Sequence, residues 1–144
     1  MEKTIIPKIT NFLWSNYLFG KTSVYPKTTI SSEKPAEEIW KRWHDPDRLL
    51  RIKNFEPLLP SDIYSLGLLF WEIAWCKADN LPFKDVPIKK LYDHLRNDNH
   101  ETLPRIPEEY QRWARLISKM WQFKSDDWYN IMTVESTMQK LLFI

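Results

Sequence analysis

The chain has 144 residues, 43% hydrophobic and 28% charged, the make-up of a globular domain long enough to bury a sizeable core. A formal net charge of +2 with scattered basic residues gives no strong field, so nucleic acid and membrane are set aside as partners. The single cysteine, Cys76, excludes an intramolecular disulfide and fits a reducing compartment; with no signal-peptide pattern in "MEKTIIPKITNF", a cytoplasmic location (or a nuclear one) is the default expectation.

In chain order, "TIIPKITNF" (4–12) predicts a short strand that Pro7 confines to a sheet edge. Residues 15–34 hold many Ser, Thr, Lys and Pro with no sustained period, which predicts a long loop. "PAEEIWKRW" predicts a short helix opened by Pro35 and two acids. Residues 48–60 read as irregular, closed by Pro57 and Pro60. "SDIYSLGLLFWEIAW" (61–75) is apolar almost all the way round, which predicts a helix buried on every side, with Ser61 or Asp62 as its cap and Glu72 satisfied by a polar partner. It is too short to span a bilayer.

After the linker "KADNLPFKDVP", Ile88, Leu91, Tyr92 and Leu95 fall on one helix face, with Lys89, Lys90, Asp93 and Arg96 opposite. Pro107 opens a further helix whose apolar stripe is Tyr110, Trp113, Ala114, Ile117, Met120 and Trp121. Val134, Met138, Leu141 and Leu142 mark a last amphipathic helix. No repeat and no domain boundary is visible. Eight tryptophans point to a core built on large aromatic anchors rather than to a base-stacking platform, which would need interleaved basic residues. Two glycines, Gly20 and Gly67, cannot write a glycine-rich phosphate loop. His44, His94 and His100 sit in different elements at no metal-ligand spacing and are expected to be surface or structural, and Cys76 a packing residue.

The order of these elements, together with several motifs, resembles the C-terminal lobe of a protein kinase, closest to the tyrosine-kinase-like group. "SDIYSLGLLFWEIAW" is similar to the family's central buried helix, [S/C]-D-[V/I]-[W/Y]-S-[F/L]-G-x-x-L-W-E-[I/L], at Ser61, Asp62, Ile63, Tyr64, Ser65, Leu66, Gly67, Trp71, Glu72 and Ile73. "LPFKDV" resembles the P-F segment after it, and "IPEEYQRWARLISKMW" the next family helix. "RWHDPDRL" resembles R-W-x-A-P-E-x-L, with Asp45-Pro46-Asp47 for A-P-E, and "KITNFLWS" falls where the family writes K-I-x-D-F-G-L-S. The likeness spans residues 1–144 as one partial kinase-like domain. It implies a mainly α fold, with helices packed around one fully buried central helix, a short N-terminal strand and a long activation-segment-like loop. It also implies structural anchors at Asp62, Gly67, Trp71 and Asp47, with Gly67 admitting close approach of a neighbouring element.

The same resemblance exposes what these residues lack. Phosphoryl transfer needs a nucleotide cradle, a lysine on the phosphates, metal ligands and a group that orients the acceptor hydroxyl. The 144 residues contain no glycine loop, no V-A-I-K and no H-R-D-x-x-x-x-N. The D-F-G position reads Asn11-Phe12-Leu13, so Asn11 is a vestigial metal position whose neutral amide suits Mg²⁺ poorly, and Leu13 removes the glycine's freedom. The arginine that pairs with the A-P-E glutamate is replaced by Trp128-Tyr129, and a packed aromatic can stand in for such a pair. Thr22, Ser23, Thr28, Thr29, Ser31 and Ser32 fall where the family carries its phosphorylated activation loop, but the arginine that would bind the phosphate is absent.

The resulting expectation is a pseudokinase-like signalling module, catalytically inactive, with no catalytic residue and no cofactor of its own, although ATP and Mg²⁺ belong to the complete family domain. It would bind a protein partner that covers an exposed flank of the 61–75 helix. An alternative is a truncated piece of a longer kinase with ATP-binding and kinase activity. An unrelated helical module would differ from both by giving the 61–75 helix an amphipathic pattern with a wet face.

Overall fold

The computed structural model describes Lys8 and residues 39–50, 59–75, 81–105 and 107–141. The chain divides into two compact units, Met1–Ile30 and Ser31–Ile144, where the sequence shows no boundary, and Lys8 is the one described residue of the first. Apart from Lys8, the predicted strand at 4–12 lies outside the described residues, as do the loop at 15–34, Asn11, the six Ser/Thr candidates, Cys76 and Leu142.

The second unit is mainly helical, with no strand among the described residues. Its α-helices are α1 (Pro46–Leu50), α2 (Leu59–Trp75), α3 (Ile88–Arg96), α4 (Gln111–Met120) and α5 (Ile131–Leu141). Short 3₁₀ turns at Trp40–Trp43, Glu108–Tyr110 and Ser125–Asp127 link them. Among the described residues no helix is long and apolar enough to cross a membrane.

Two of these boundaries correct the sequence expectations. The stretch expected to be irregular from 48 onward begins inside a helix, α1. Asp45 caps it, its Oδ1 accepting the Arg48 N–H at 2.9 Å and its carbonyl the Leu49 N–H at 3.0 Å, while Pro46 takes the first position, where a missing N–H costs nothing. Likewise α2 starts at Leu59, so Ser61 and Asp62 occupy its first turn rather than capping it. Pro60, taken as a stop, is tolerated there for the same reason as Pro46.

Packing centres on α2. Tyr64, Leu68 and Trp71 recur at helical spacing and join Leu49, Phe83, Leu91, Leu95, Ile117 and Trp121 in one buried cluster. Ile63, on the adjoining side, joins Leu116, Met120 and Val134 in a second. Thus α2 and α4 each feed both clusters, α5 closes the second, and α3 with α1 closes the first. Leu91 and Leu95 are buried as the α3 pattern predicts. Tyr110, in the 3₁₀ turn ahead of α4, is exposed, while Leu116, three residues after Trp113 and four before Met120, joins the buried face of α4 although the predicted stripe left it out.

The expectation that α2 is buried on every side does not hold. Leu69 keeps 47% and Ile73 57% of its surface exposed. An all-round apolar pattern states that no face suits water; the number of neighbours decides how many faces are covered. Among the described residues, the core neighbours of α2 lie on the side away from Leu69 and Ile73.

The buried side runs through Gly67, where an added Cβ would sit 2.8 Å from Met120 Cβ. Gly67 is therefore the contact that lets α4 lie against α2. Replacing it by alanine improves helix propensity by roughly 1 kcal/mol but overpacks the interface at about 1–3 kcal/mol. Gly67→Ala is expected to lower the urea midpoint; an unchanged or raised midpoint would show that α4 yields freely.

Candidate functional site: the open face of α2 and the pocket behind it

At 100° per residue, Asp62, Leu66, Leu69 and Ile73 share one line along α2, opposite Tyr64, Leu68 and Trp71. Asp62, Leu69 and Ile73 are exposed and Leu66 half-buried. The open face is thus apolar for most of its length, with one acid at its start.

Ser65 and Glu72 stand at the border between the open and buried sides, and both hold the Trp40–Trp43 turn. Ser65 Oγ donates to the Trp43 carbonyl at 2.9 Å, and the Trp43 indole N–H donates to Glu72 Oε1 at 2.6 Å. Glu72 so finds the polar partner expected of it. Beside Trp43, Trp40 is half-exposed, packed edge-on against His44 at 4.6 Å with the Arg48 guanidinium over its ring at 5.9 Å. The turn thus lies against α2 at Ser65 and Glu72.

The anchors inferred from the resemblance do not converge on one site. Gly67 and Trp71 are core residues, Asp62 is at the surface, and Asp47 is half-buried in the first turn of α1. Asp45 and Asp62 both favour the charged form of Arg48 against the burial that opposes it. Trp128 lies 5.5 Å from the Tyr64 ring and donates from its indole to the Gln122 carbonyl at 2.6 Å. It packs against both clusters.

Behind α2, on the side of Trp71 and Trp75, lies a pocket of about 380 Å³. Its aromatic walls are Trp71, Trp75 and Phe83; Lys84, Asp85, His94, His100 and Glu101 supply the polar lining. Both indoles donate to the Thr102 carbonyl, at 2.9 and 3.0 Å. Phe83 has a φ of 51°, a left-handed conformation that costs a bulky residue about 1–2 kcal/mol. Side chains hold it from both ends: Glu101 Oε1 accepts its N–H, and Arg42 Nη1 donates to its carbonyl and to those of Pro82 and Val86, at 3.3 and 3.2 Å. Burial pushes the Glu101 carboxyl up, opposed by the Phe83 N–H and by His94. Sequence spacing keeps His94 and His100 apart, yet the fold lines one pocket with both. Among the described residues no group of three or more His, Cys, Asp and Glu could hold a metal.

His44 and Asp45 are buried although neither was singled out from the sequence for that role. Both His44 ring nitrogens, Asp45 Oδ2 and the Tyr64 hydroxyl lack a hydrogen-bond partner. Burial, then Arg48 and Lys41, lowers the His44 pKa from 6.5 to about 3.

No protein-family model matches this chain, and no curated protein matches it.

The histidine makes stability depend on acidity. Unfolded, it binds a proton below 6.5; folded, only near 3, so its contribution is whole above 6.5 and is lost as pH falls across that window. The loss is on the order of 2–4 kcal/mol. His44→Phe keeps the edge contact with Trp40 and removes two orphaned nitrogens. It is expected to match wild-type stability at pH 7 and to flatten the decline between pH 6.5 and 4; an equally steep decline in the variant would place the titrating group elsewhere.

Proposed function

We propose that this chain is a degenerate protein-kinase-like C-lobe that has lost phosphoryl-transfer chemistry and acts by binding protein through the open face of α2. The observation that carries the reading is the exposure of Leu69 and Ile73 on a helix whose other side feeds both core clusters. A wet face on a free-standing helical module would be polar; this one is wet and apolar, the composition of a surface meant to be covered. The motif match from Ser61 to Ile73 supports the kinase likeness, and so does the tight fit of Gly67 against Met120, which gives that glycine the role the resemblance implies.

For ATP and Mg²⁺, the one position that the resemblance offers is Asn11, outside the described residues, and its amide brings no charge to a cation that prefers carboxylates and phosphates. No catalytic step is therefore drawn through these residues. Thermal unfolding is expected not to shift with ATP and magnesium; a magnesium-dependent rise of several degrees would favour the alternative, a piece of a longer and active kinase.

A photoreactive side chain introduced at Ile73 is expected to crosslink to a protein partner in cells, and one at Lys89 on α3 is not. Leu69→Lys, at an exposed site, should abolish the crosslink and change stability by no more than about 0.5 kcal/mol. Equal labelling from both positions, or labelling that survives Leu69→Lys, would reject the open face as the docking surface.

A further inference from the structure

We propose that the pocket behind α2 binds an organic cation, an alkylammonium or guanidinium group, between the rings of Trp71, Trp75 and Phe83 and against the Glu101 carboxylate. Three observations carry this. Trp71, Trp75 and Phe83 line the pocket beside its polar groups, and an organic cation gains from ring faces where an inorganic ion, held by its hydration shell, does not.

The balance of charge in the lining is negative. Glu101 and Asp85 face one ammonium, Lys84, which is exposed and acts on Glu101 less than Asp85 does. An anion would meet the Glu101 carboxylate, and a neutral apolar guest would bury that carboxylate without a counter-charge.

The third observation is that the pocket is built. Phe83 stands in a left-handed conformation that its own side chain disfavours, and two separate side chains, Arg42 and Glu101, fix its carbonyl and its N–H. Glu101 therefore shapes the wall and supplies the charge. Strain of this kind, over-determined from both ends, is a mark of a ligand clamp. A volume of about 380 Å³ lies at the small end of ligand sites and admits one side-chain-sized cation.

Trp71 and Trp75 lie on the opposite side of α2 from Leu69 and Ile73, so this site is independent of the docking face and of the kinase-like reading. The cation could be a free amine or a lysine or arginine side chain of a protein, and the shared chemistry is the delocalised or alkylated positive group.

The test titrates the full chain at pH 7.5 and constant ionic strength, reading the indole N–H signals of Trp71 and Trp75 by NMR. The probes are tetramethylammonium and N-acetyl-arginine amide, with sodium and acetate as controls. Saturable shifts with the organic cations alone, and at least a tenfold loss of affinity in Glu101→Gln, are expected; the glutamine oxygen can still accept the Phe83 N–H, so the fold should survive. Should that variant unfold, Asp85→Asn at the exposed rim is expected to weaken binding several-fold. Tighter binding of the arginine amide assigns the site to a protein side chain, and tighter binding of tetramethylammonium assigns it to a free amine. Equal response to sodium or acetate, no saturation, or undiminished binding in the charge-removed variants would overturn the proposal.

Discussion

Everything in the helical unit depends on how closely α4 approaches α2 at Gly67. With Met120 Cβ where a side chain at 67 would begin, the two helices meet backbone to side chain, and the residues on either side of the contact fall into separate buried clusters. Ile117 and Trp121 go one way, with α3 and the 81–86 turn; Leu116 and Met120 go the other, with α5. A wider separation would loosen both clusters at once, because close-packed interiors do not absorb an ångström without losing contacts on each side. Trp128 adds to the join by packing against both clusters, which makes the region after α4 part of the same seam.

The second dependence is polar. The Arg42 guanidinium reaches three carbonyls of the 82–86 turn, Trp43 and Ser65 tie the preceding turn to α2, and Asp45 starts α1. Each such bond contributes about 0.5–3 kcal/mol, more when the donor is charged. Together they offset the cost of a left-handed Phe83 and of buried side-chain atoms without a hydrogen-bond partner, namely both His44 ring nitrogens, Asp45 Oδ2, the Tyr64 hydroxyl and His100 Nδ1. The segment from Arg42 to Asp47 is thus a polar clasp across the start of the core. Its worth lies in placing Phe83 as a pocket wall and in tying the Trp40–Trp43 turn to α2.

Much of this was legible in the sequence where one physical signal dominates. Leu91 and Leu95 declare the buried face of α3, Val134 that of α5, and the apolar run through α2 declares the core. Glu72 in that run announces a polar partner, although not that the partner is Trp43. What was not legible depends on partners distant in sequence. Nothing in "LPFKDV" says that Arg42, some forty residues earlier, will hold its carbonyls, or that Glu101, eighteen later, will take the Phe83 N–H. The pocket exists only through those pairings, so no spacing rule could have found it. The α1 helix is different: Asp45-Pro46 is a cap followed by a first-position proline, a local signal that the reading of 48–60 as irregular did not use.

The size of the open face also limits how it can work. Burying a Leu or Ile side chain completely contributes about 1.5–3 kcal/mol, and Leu69 and Ile73 are already half covered, so closing over both adds roughly 2 kcal/mol. Association costs at least about 4 kcal/mol in lost freedom before side chains are ordered. The aliphatic stripe alone therefore cannot hold a partner. What can make up the difference is a large, pre-positioned aromatic at its border, since such anchors carry most of the energy in protein interfaces. Trp40 meets that description: it is half-exposed, stiffened by His44 on its edge and Arg48 over its face, and carried on the turn that Ser65 and Glu72 hold against α2. On the proposed docking, a partner would meet Leu69 and Ile73 with a hydrophobic contact and take Trp40 as an anchor. That combination is more selective than an apolar groove, because it fixes both the spacing and the orientation of whatever docks.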